Sequence, residues 1–146
     1  MTHIRRFDHV GITVADLDLV SVFFVELGFE VEGRTFLEGE FLDTVIGMPG
    51  SRTEMVMLRP PDDGTRLELT RFIQPQSQPG PLPAMATRLG LSNVSFEVEG
   101  LHGILGRLAA DGYHMIGGVG DHEHVWRMAS VRGPEGIIVN LAERIT

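Results

Sequence analysis

Two stretches of the sequence decide the fold: His9-Val10-Gly11-Ile12-Thr13-Val14-Ala15-Asp16-Leu17 and Asn93-Val94-Ser95-Phe96-Glu97-Val98-Glu99-Gly100-Leu101. In each stretch apolar residues alternate with polar or small ones, which is the period of two expected of a half-buried β-strand. Apolar residues at helical spacing follow each strand, and the two predicted helices end at Gly28 and Gly112. The chain is therefore predicted to contain an internal repeat.

The repeat continues towards the end of each half. Pro61-Asp62-Asp63-Gly64 matches Gly133-Pro134-Glu135-Gly136, and Leu67-Glu68-Leu69 matches Val139-Asn140-Leu141. Between the start and the end of the repeat, the offset falls from 84 to 72 residues, so the first half carries about a dozen surplus residues. We expect these residues to form a loop between Glu38 and Arg52.

Each half is predicted to form a strand, a helix and then three strands. Such a βαβββ unit leaves one sheet face uncovered by its own helix, so a single copy cannot complete a core. We therefore predict an α+β fold in which two βαβββ modules pair into a curved eight-stranded mixed sheet, with helices on the outside and a cleft inside. The single domain 1–146 would comprise a first module at 5–73, a proline-rich linker at 74–89 and a second module at 90–145.

The composition excludes several classes of function. The 146 residues carry a net charge of −8 and include neither lysine nor cysteine. Polybasic nucleic-acid or membrane binding, lysine Schiff-base chemistry, thiolate nucleophiles and cysteine-based zinc sites are therefore ruled out. We expect a cytoplasmic protein that binds neither nucleic acid nor a membrane, and any metal must be held by histidine nitrogen or by carboxylate or amide oxygen.

With this duplication, the sequence resembles the vicinal oxygen chelate superfamily, which includes glyoxalase I, methylmalonyl-CoA epimerase, extradiol dioxygenases and bleomycin-resistance proteins. The motifs that carry the resemblance are Asp8-His9-Val10-Gly11-Ile12, Leu27-Gly28-Phe29-Glu30, Leu67-Glu68-Leu69 and Gly133-Pro134-Glu135-Gly136. The resemblance implies a small-molecule substrate bound in the cleft and a homodimer.

The resemblance also implies a metal site, with one ligand from the first strand and one from the last strand of each half. His9 and Glu68 occupy those positions in the first half, whereas Asn93 and Asn140 occupy them in the second. An amide oxygen is neutral and is a weaker ligand than an imidazole nitrogen or a carboxylate oxygen. We therefore expect a degenerate site for Zn, Ni, Mn or Fe, or a site without metal. The strand period directs His9 and Glu68 away from the helix layer and into the cleft.

Glu68 and His9 are the expected catalytic residues. In members resembling glyoxalase or the epimerase, a carboxylate near the metal removes a proton from the carbon next to a carbonyl. Asn140 cannot act as a base, so only Glu68 suits that role. The alternative is a metal-free pair in which His9 simply partners the Glu68 carboxylate.

Five further residues are candidates for binding the substrate. On one strand, His122 and His124 would share a face about 7 Å apart, but an acidic surface turn is the commoner explanation. Trp126 is either a core residue or an aromatic wall. Because Trp126 and Arg127 alternate, one of them must face inward, and an inward Arg127 favours an anionic substrate. Met57 suits an adaptable apolar pocket, with core packing as the alternative.

Three functions are consistent with the sequence. The first is a glyoxalase-like lyase or isomerase that acts on a small oxygenated or thioester metabolite. The second is a metal-free protein that binds and sequesters a small molecule, as bleomycin-resistance relatives do. The third is a dioxygenase-type iron enzyme, which ranks last because position 93 lacks the second histidine that such a site needs.

Overall fold

The computed structural model describes residues 2–80 and 84–145, and the chain divides into two compact units, Met1–Pro79 and Gly80–Thr146. The boundary between the units falls within the predicted linker. Gln74 is the last residue of a strand rather than the first residue of the linker, and residues 81–83 of the linker lie outside the described residues.

The first unit is a mixed four-stranded sheet with two helices. Its elements are β1 (His9–Thr13), α1 (Leu17–Glu26), β2 (Glu30–Glu38), α2 (Glu40–Ile46), β3 (Arg52–Arg59) and β4 (Arg66–Gln74). The strand order is β1-β4-β3-β2, with β1 parallel to β4 and the other pairs antiparallel.

The second unit repeats this topology. Its elements are β5 (Val94–Val98), α3 (Leu101–Ala110), β6 (Gly120–His122), β7 (Trp126–Arg132) and β8 (Ile138–Arg144), in the order β5-β8-β7-β6. Glu68 faces Gly11 in the register of the first sheet, and Asn140 faces Ser95 in that of the second. These pairs are related by the two offsets read from the sequence, so the predicted α+β class, with eight strands in two mixed sheets, is confirmed.

The ends of the first helix follow from its capping residues. The Asp16 side chain accepts a hydrogen bond from the Leu19 backbone N–H, which satisfies one free donor of the first turn. At the other end Gly28 has a φ of 120°, and the Phe29 N–H donates back to the Phe24 carbonyl. Gly112, with a φ of 90°, occupies the same position after α3.

The segment between Glu38 and Arg52 is not the loop that the sequence predicted, because it contains α2. Gly39 provides no side-chain cap, so the sequence gives little sign of a helix start. Tertiary contacts hold the helix: Leu42 is buried, and the Asp43 carboxylate accepts hydrogen bonds from the Ser51 hydroxyl and from the Gly50 and Ser51 backbone N–H groups. The Ser51 hydroxyl, followed by the Gly50 N–H, lowers the pKa of Asp43.

One carboxylate is buried on the helix side of the first sheet. The side chain of Glu54 is only 9% exposed, and its two oxygens contact Arg34 Nε at 2.8 Å and Arg71 Nη2 at 3.0 Å. The hydrogen bond from Arg34, followed by that from Arg71, lowers the pKa of Glu54. Arg34 also contacts Asp18 at 2.6 Å, so this network joins α1, β2, β3 and β4.

None of the helices in ranges 2–80 and 84–145 is sufficiently long and apolar to cross a membrane.

Replacing Phe24 by alanine should destabilise the first unit strongly. Phe24 is fully buried, and its ring makes edge contacts with Phe23 at 5.1 Å and Phe29 at 5.8 Å. Removing it leaves a cavity, so we expect a loss of about 3–5 kcal/mol in the free energy of unfolding, measured by urea denaturation with circular dichroism. Phe36→Ala, at a side chain 65% exposed, is the control and should change stability by less than about 0.5 kcal/mol. An equal loss of stability in Phe24→Ala and Phe36→Ala would contradict this description of the core.

Glu54→Gln should lower stability in a pH-dependent way. Because the pKa of Glu54 is lowered in the folded state, its contribution is fully present above the ordinary glutamate pKa of about 4.3 and is lost as pH falls through the folded-state pKa. The variant should thus be less stable than the wild type at neutral pH, and the difference should shrink below about pH 4. Denaturation midpoints across this range test the prediction, with exposed Glu99→Gln as control. A difference that does not vary with pH would contradict it.

Candidate functional site

The first sheet presents a set of polar side chains on the face away from α1, which we call the site face. Leu67 and Leu69 of β4 are buried beneath the helix, so the intervening Glu68 points the other way. His9 lies on the same face of β1, because Val10 and Ile12 occupy the helix side. Met57 is in register with Glu68 on β3 and shares the site face.

His9 and Glu68 are in contact on the site face. His9 Nε2 lies 3.3 Å from Glu68 Oε2, and the side chains are 36% and 21% exposed. The other ring nitrogen, Nδ1, lies 2.8 Å from Asp8 Oδ2, and Asp8 Oδ1 accepts a hydrogen bond from Arg6 Nη2 at 3.0 Å. The hydrogen bond with His9 is the main cause of a lowered pKa for Asp8. The imidazole is therefore held between two carboxylates.

The surroundings of Glu68 leave its carboxylate accessible. Thr70, two residues along β4, donates a hydrogen bond from Oγ1 to Glu68 Oε1 at 3.3 Å. Gly11, the β1 residue in register with Glu68, has no side chain, and a Cβ there would lie 3.9 Å from Oε1. Gly33, in register with Met57 on the far side, likewise leaves open space. A small molecule can thus approach the carboxylate from above the sheet.

At the positions equivalent to His9 and Glu68, the second sheet carries neutral amides. Asn140 Oδ1 accepts a hydrogen bond from Ser130 Oγ at 2.6 Å, so the amide oxygen is already engaged. Asn93 is exposed and precedes the first residue of β5, Val94. The structure therefore does not hold these two amides as it holds His9 and Glu68.

The predicted histidine pair does not share a strand face. His122 ends β6, whereas His124 lies in the tight turn between β6 and β7, where it has a φ of 57°. Glu123 has a φ of 52°, and the Val125 N–H donates to the His122 carbonyl, which closes the turn. Of the two alternatives, the structure shows the surface turn rather than a shared strand face, because the hairpin reverses between the two histidines.

Trp126 and Arg127 lie on opposite faces of the second sheet. Ala129 and Val131 are buried on the α3 side, so Arg127 shares that side, where its Nε contacts Asp121 Oδ1 at 3.3 Å. Trp126 lies on the other face, which we call the Trp126 face. There Arg144 of β8 is in register with it, and the guanidinium carbon Cζ lies 5.4 Å from the centre of the indole.

Comparison with known proteins identifies the family. A model described as the Glyoxalase/Bleomycin resistance protein/Dioxygenase superfamily matches residues 6–141. The chain belongs to this superfamily. No match is found among the curated proteins.

Three solved structures share the fold of this chain. A glyoxalase family protein from Bacillus cereus is 35% identical, with a TM-score of 0.95, and the match covers 99% of this chain and 97% of the other. Glyoxalase I of Leishmania major, described as trypanothione-dependent, is 22% identical with a TM-score of 0.65, over 96% and 87%. An antibiotic-binding protein from Streptomyces sp. is 16% identical with a TM-score of 0.63, over 99% of both chains. The last two are so distant that they show the fold alone.

Superfamily membership raises the question of whether the chain binds a divalent metal ion. The described residues offer few side chains that could ligate one. His9 Nε2 and Glu68 Oε2 converge, and the Asp8 carboxylate supports the other ring nitrogen, as is common for metal-binding histidines. Among the described residues, however, no group of three or more histidine, aspartate or glutamate side chains could hold a metal ion. Catalytic zinc sites use three protein ligands. The residues therefore do not fit a standard catalytic metal centre.

Sequence reasoning missed two neighbours of the candidate pair and one neighbour of Trp126. Asp8 precedes His9 in the chain, and Thr70 follows Glu68 by one strand period, so both could have been found from spacing. Arg144 follows Asn140 by two strand periods and shares its face. Its contact with Trp126 depends on the β7–β8 register, which the sequence does not specify.

Proposed function

We propose that this protein is a glyoxalase-like enzyme, a lyase or isomerase that acts on a small oxygenated or thioester metabolite. One observation carries the proposal: the 3.3 Å contact between His9 Nε2 and Glu68 Oε2 on an accessible sheet face. A positioned carboxylate with an imidazole beside it can remove a proton from the carbon next to a carbonyl.

In this proposal Glu68 is the general base. Its carboxylate takes the proton, and the electron pair of the broken C–H bond remains in the substrate as an enolate. Protonation of the opposite face of the same carbon inverts its configuration, whereas return of the proton from Glu68 to a neighbouring atom isomerises the substrate. Thr70 Oγ1 and His9 Nε2 each contact one oxygen of the base and hold its orientation.

The open space on the site face supports the proposal of a small substrate. Gly11 and Gly33 leave space on either side of Glu68 and Met57. Met57 offers a polarisable apolar surface, which suits the sulfur or methylene groups of a thioester.

A degenerate metal site is part of the proposal. His9 and Glu68 supply two donors, and Asn140 is engaged with Ser130. We therefore infer that Zn, Ni, Mn or Fe binds weakly through His9 and Glu68, and no step of the proposed reaction runs through a metal.

A second candidate function is metal-free binding of a small molecule. It is favoured by the hydrogen bond between Asn140 and Ser130. Two neutral side chains that are hydrogen-bonded to each other can contact a ligand, but they cannot remove a proton from it. The similarity to an antibiotic-binding protein from Streptomyces sp. lies in the fold alone.

Two further inferences do not rest on the site. We infer a homodimer, because short paired modules of this superfamily commonly share an edge. We infer a cytoplasmic location, because the sequence has no cysteine that would favour an oxidising compartment.

Glu68→Gln should abolish proton exchange at the substrate carbon. The wild type is incubated in D2O with α-oxo aldehyde–thiol adducts and with acyl thioesters, and loss of the α-proton signal is followed by NMR. We expect exchange with at least one class and a slowing of about 100-fold or more in the variant, since a glutamine cannot take the proton. Glu99→Gln is the matched control and should exchange normally. Binding without exchange in the wild type would instead support the second candidate.

Metal content should be low and should depend on His9 and Glu68. Protein purified without chelator should hold less than about one metal equivalent in ten, because two donors bind weakly. His9→Ala and Glu68→Ala should each abolish the remaining binding of Zn in calorimetric titration, whereas Glu99→Gln should leave it unchanged. A full metal equivalent in the wild type that survives His9→Ala would contradict the proposed site.

A further inference from the structure

The open space beside Glu68 lies over a single residue, Gly11. Gly11 of β1 is in register with Glu68 of β4, and both residues lie on the site face. A Cβ atom at Gly11 would lie 3.9 Å from Glu68 Oε1, and no other heavy atom of the described residues beyond its chain neighbours would come within 4 Å of it. The missing side chain therefore leaves a space directly beside one carboxylate oxygen, which we call the Gly11 gap.

The two oxygens of the Glu68 carboxylate have different surroundings. Oε2 lies 3.3 Å from His9 Nε2. Oε1 accepts a hydrogen bond from Thr70 Oγ1 at 3.3 Å, which is longer than is usual for a hydroxyl donor, and it borders the Gly11 gap. Oε1 is therefore the oxygen that a substrate in the gap can reach.

The neighbours of Gly11 on the same strand face bound the gap. His9 and Thr13 share that face, and each lies one strand period, about 7 Å along β1, from Gly11. Thr13 is in register with Thr70 of β4. The gap therefore has an imidazole at one end, two threonines at the other and the Glu68 carboxylate along its side.

The backbone does not require a glycine at position 11. Gly11 has no positive φ, so any residue can adopt its conformation. The ladder between β1 and β4 runs from His9 to Thr13 without a shift of register, so no bulge lies there. A glycine inside a strand weakens the strand and, where there is no bulge, often marks the close approach of a ligand or of another backbone. Since no backbone atom of the described residues comes within 4 Å of a Cβ at Gly11, the gap favours a ligand.

We propose that the reacting carbon of the substrate lies in the Gly11 gap, and that Gly11 limits the size of the groups on that carbon. The inference rests on the proposed function. Glu68 Oε1 takes the proton, the electron pair of the C–H bond forms the double bond of the enolate, and the carbonyl π pair moves to the carbonyl oxygen. The substrate class is thereby narrowed to carbonyl compounds whose reacting carbon presents only hydrogen or a group of one heavy atom towards β1.

The test varies the size of the groups on the reacting carbon in the D2O exchange experiment. The probes are the acetyl, propionyl and isobutyryl thioesters of one thiol, and the adducts of one α-oxo aldehyde with ethanethiol and with tert-butanethiol. Gly11→Ala adds a methyl group beside Oε1. In the class that exchanges, it should slow the bulkiest probe at least about tenfold more than the smallest, because a methyl group competes for the same space.

Gly33→Ala is the matched control. Gly33 also has no positive φ and also borders open space, but it is in register with Met57 and lies two strands away from Glu68. Its replacement should leave the ratio of exchange rates between large and small probes unchanged. Gly11→Ser repeats the measurement with a second side chain in the gap, and circular dichroism with thermal denaturation verifies the fold of each variant.

The outcomes separate this inference from the proposed function. Equal slowing of every probe in Gly11→Ala would show a disturbed base rather than a size limit, and unchanged rates would show an unoccupied gap. Either result would overturn the role of Gly11 and leave the proposed reaction standing, provided that Glu68→Gln abolishes exchange. A wild type that exchanges none of the probes would overturn the proposed function and this inference together.

Discussion

Each sheet of this protein can bury only one face under its own helix, and the rest of the structure depends on this constraint. Side chains alternate between the two faces of a strand, so burial of Leu67 and Leu69 beneath α1 forces Glu68 onto the opposite face. The same alternation places Trp126 away from α3 once Ala129 and Val131 are buried beneath that helix. The hydrophobic core thus decides which polar groups meet on the site face and on the Trp126 face.

Two carboxylates on the helix sides of the sheets have hydrogen-bond partners within their own unit. Glu54 is buried but contacts two arginines, and Glu143 on the α3 side accepts hydrogen bonds from the first backbone N–H groups of α3. Throughout the described residues, no buried side-chain nitrogen or oxygen lacks a hydrogen-bond partner. These carboxylates are engaged with their own partners, whereas the Glu68 carboxylate is partly exposed beside His9 and accessible to a substrate.

Duplication has given the two sheets the same register and different chemistry. The pair of His9 and Glu68 and the pair of Asn93 and Asn140 hold equivalent positions, yet only the first pair contains a base. The second sheet instead has an arginine stacked on an indole. In the proposed function the first sheet therefore carries the general base.

The sequence by itself determined the order of the elements, the repeat and the face on which His9 and Glu68 lie, because strand period, helix spacing and glycine stops are local properties. It did not determine α2, whose uncapped start depends on the distant contacts of Asp43 with Gly50 and Ser51. It left a shared strand face for His122 and His124 as an alternative to a surface turn, because the positive φ angles of the hairpin turn are not evident from these residue types. Only the tertiary structure brought Arg144 onto Trp126, since that contact requires the register between two strands, which long-range backbone hydrogen bonds set.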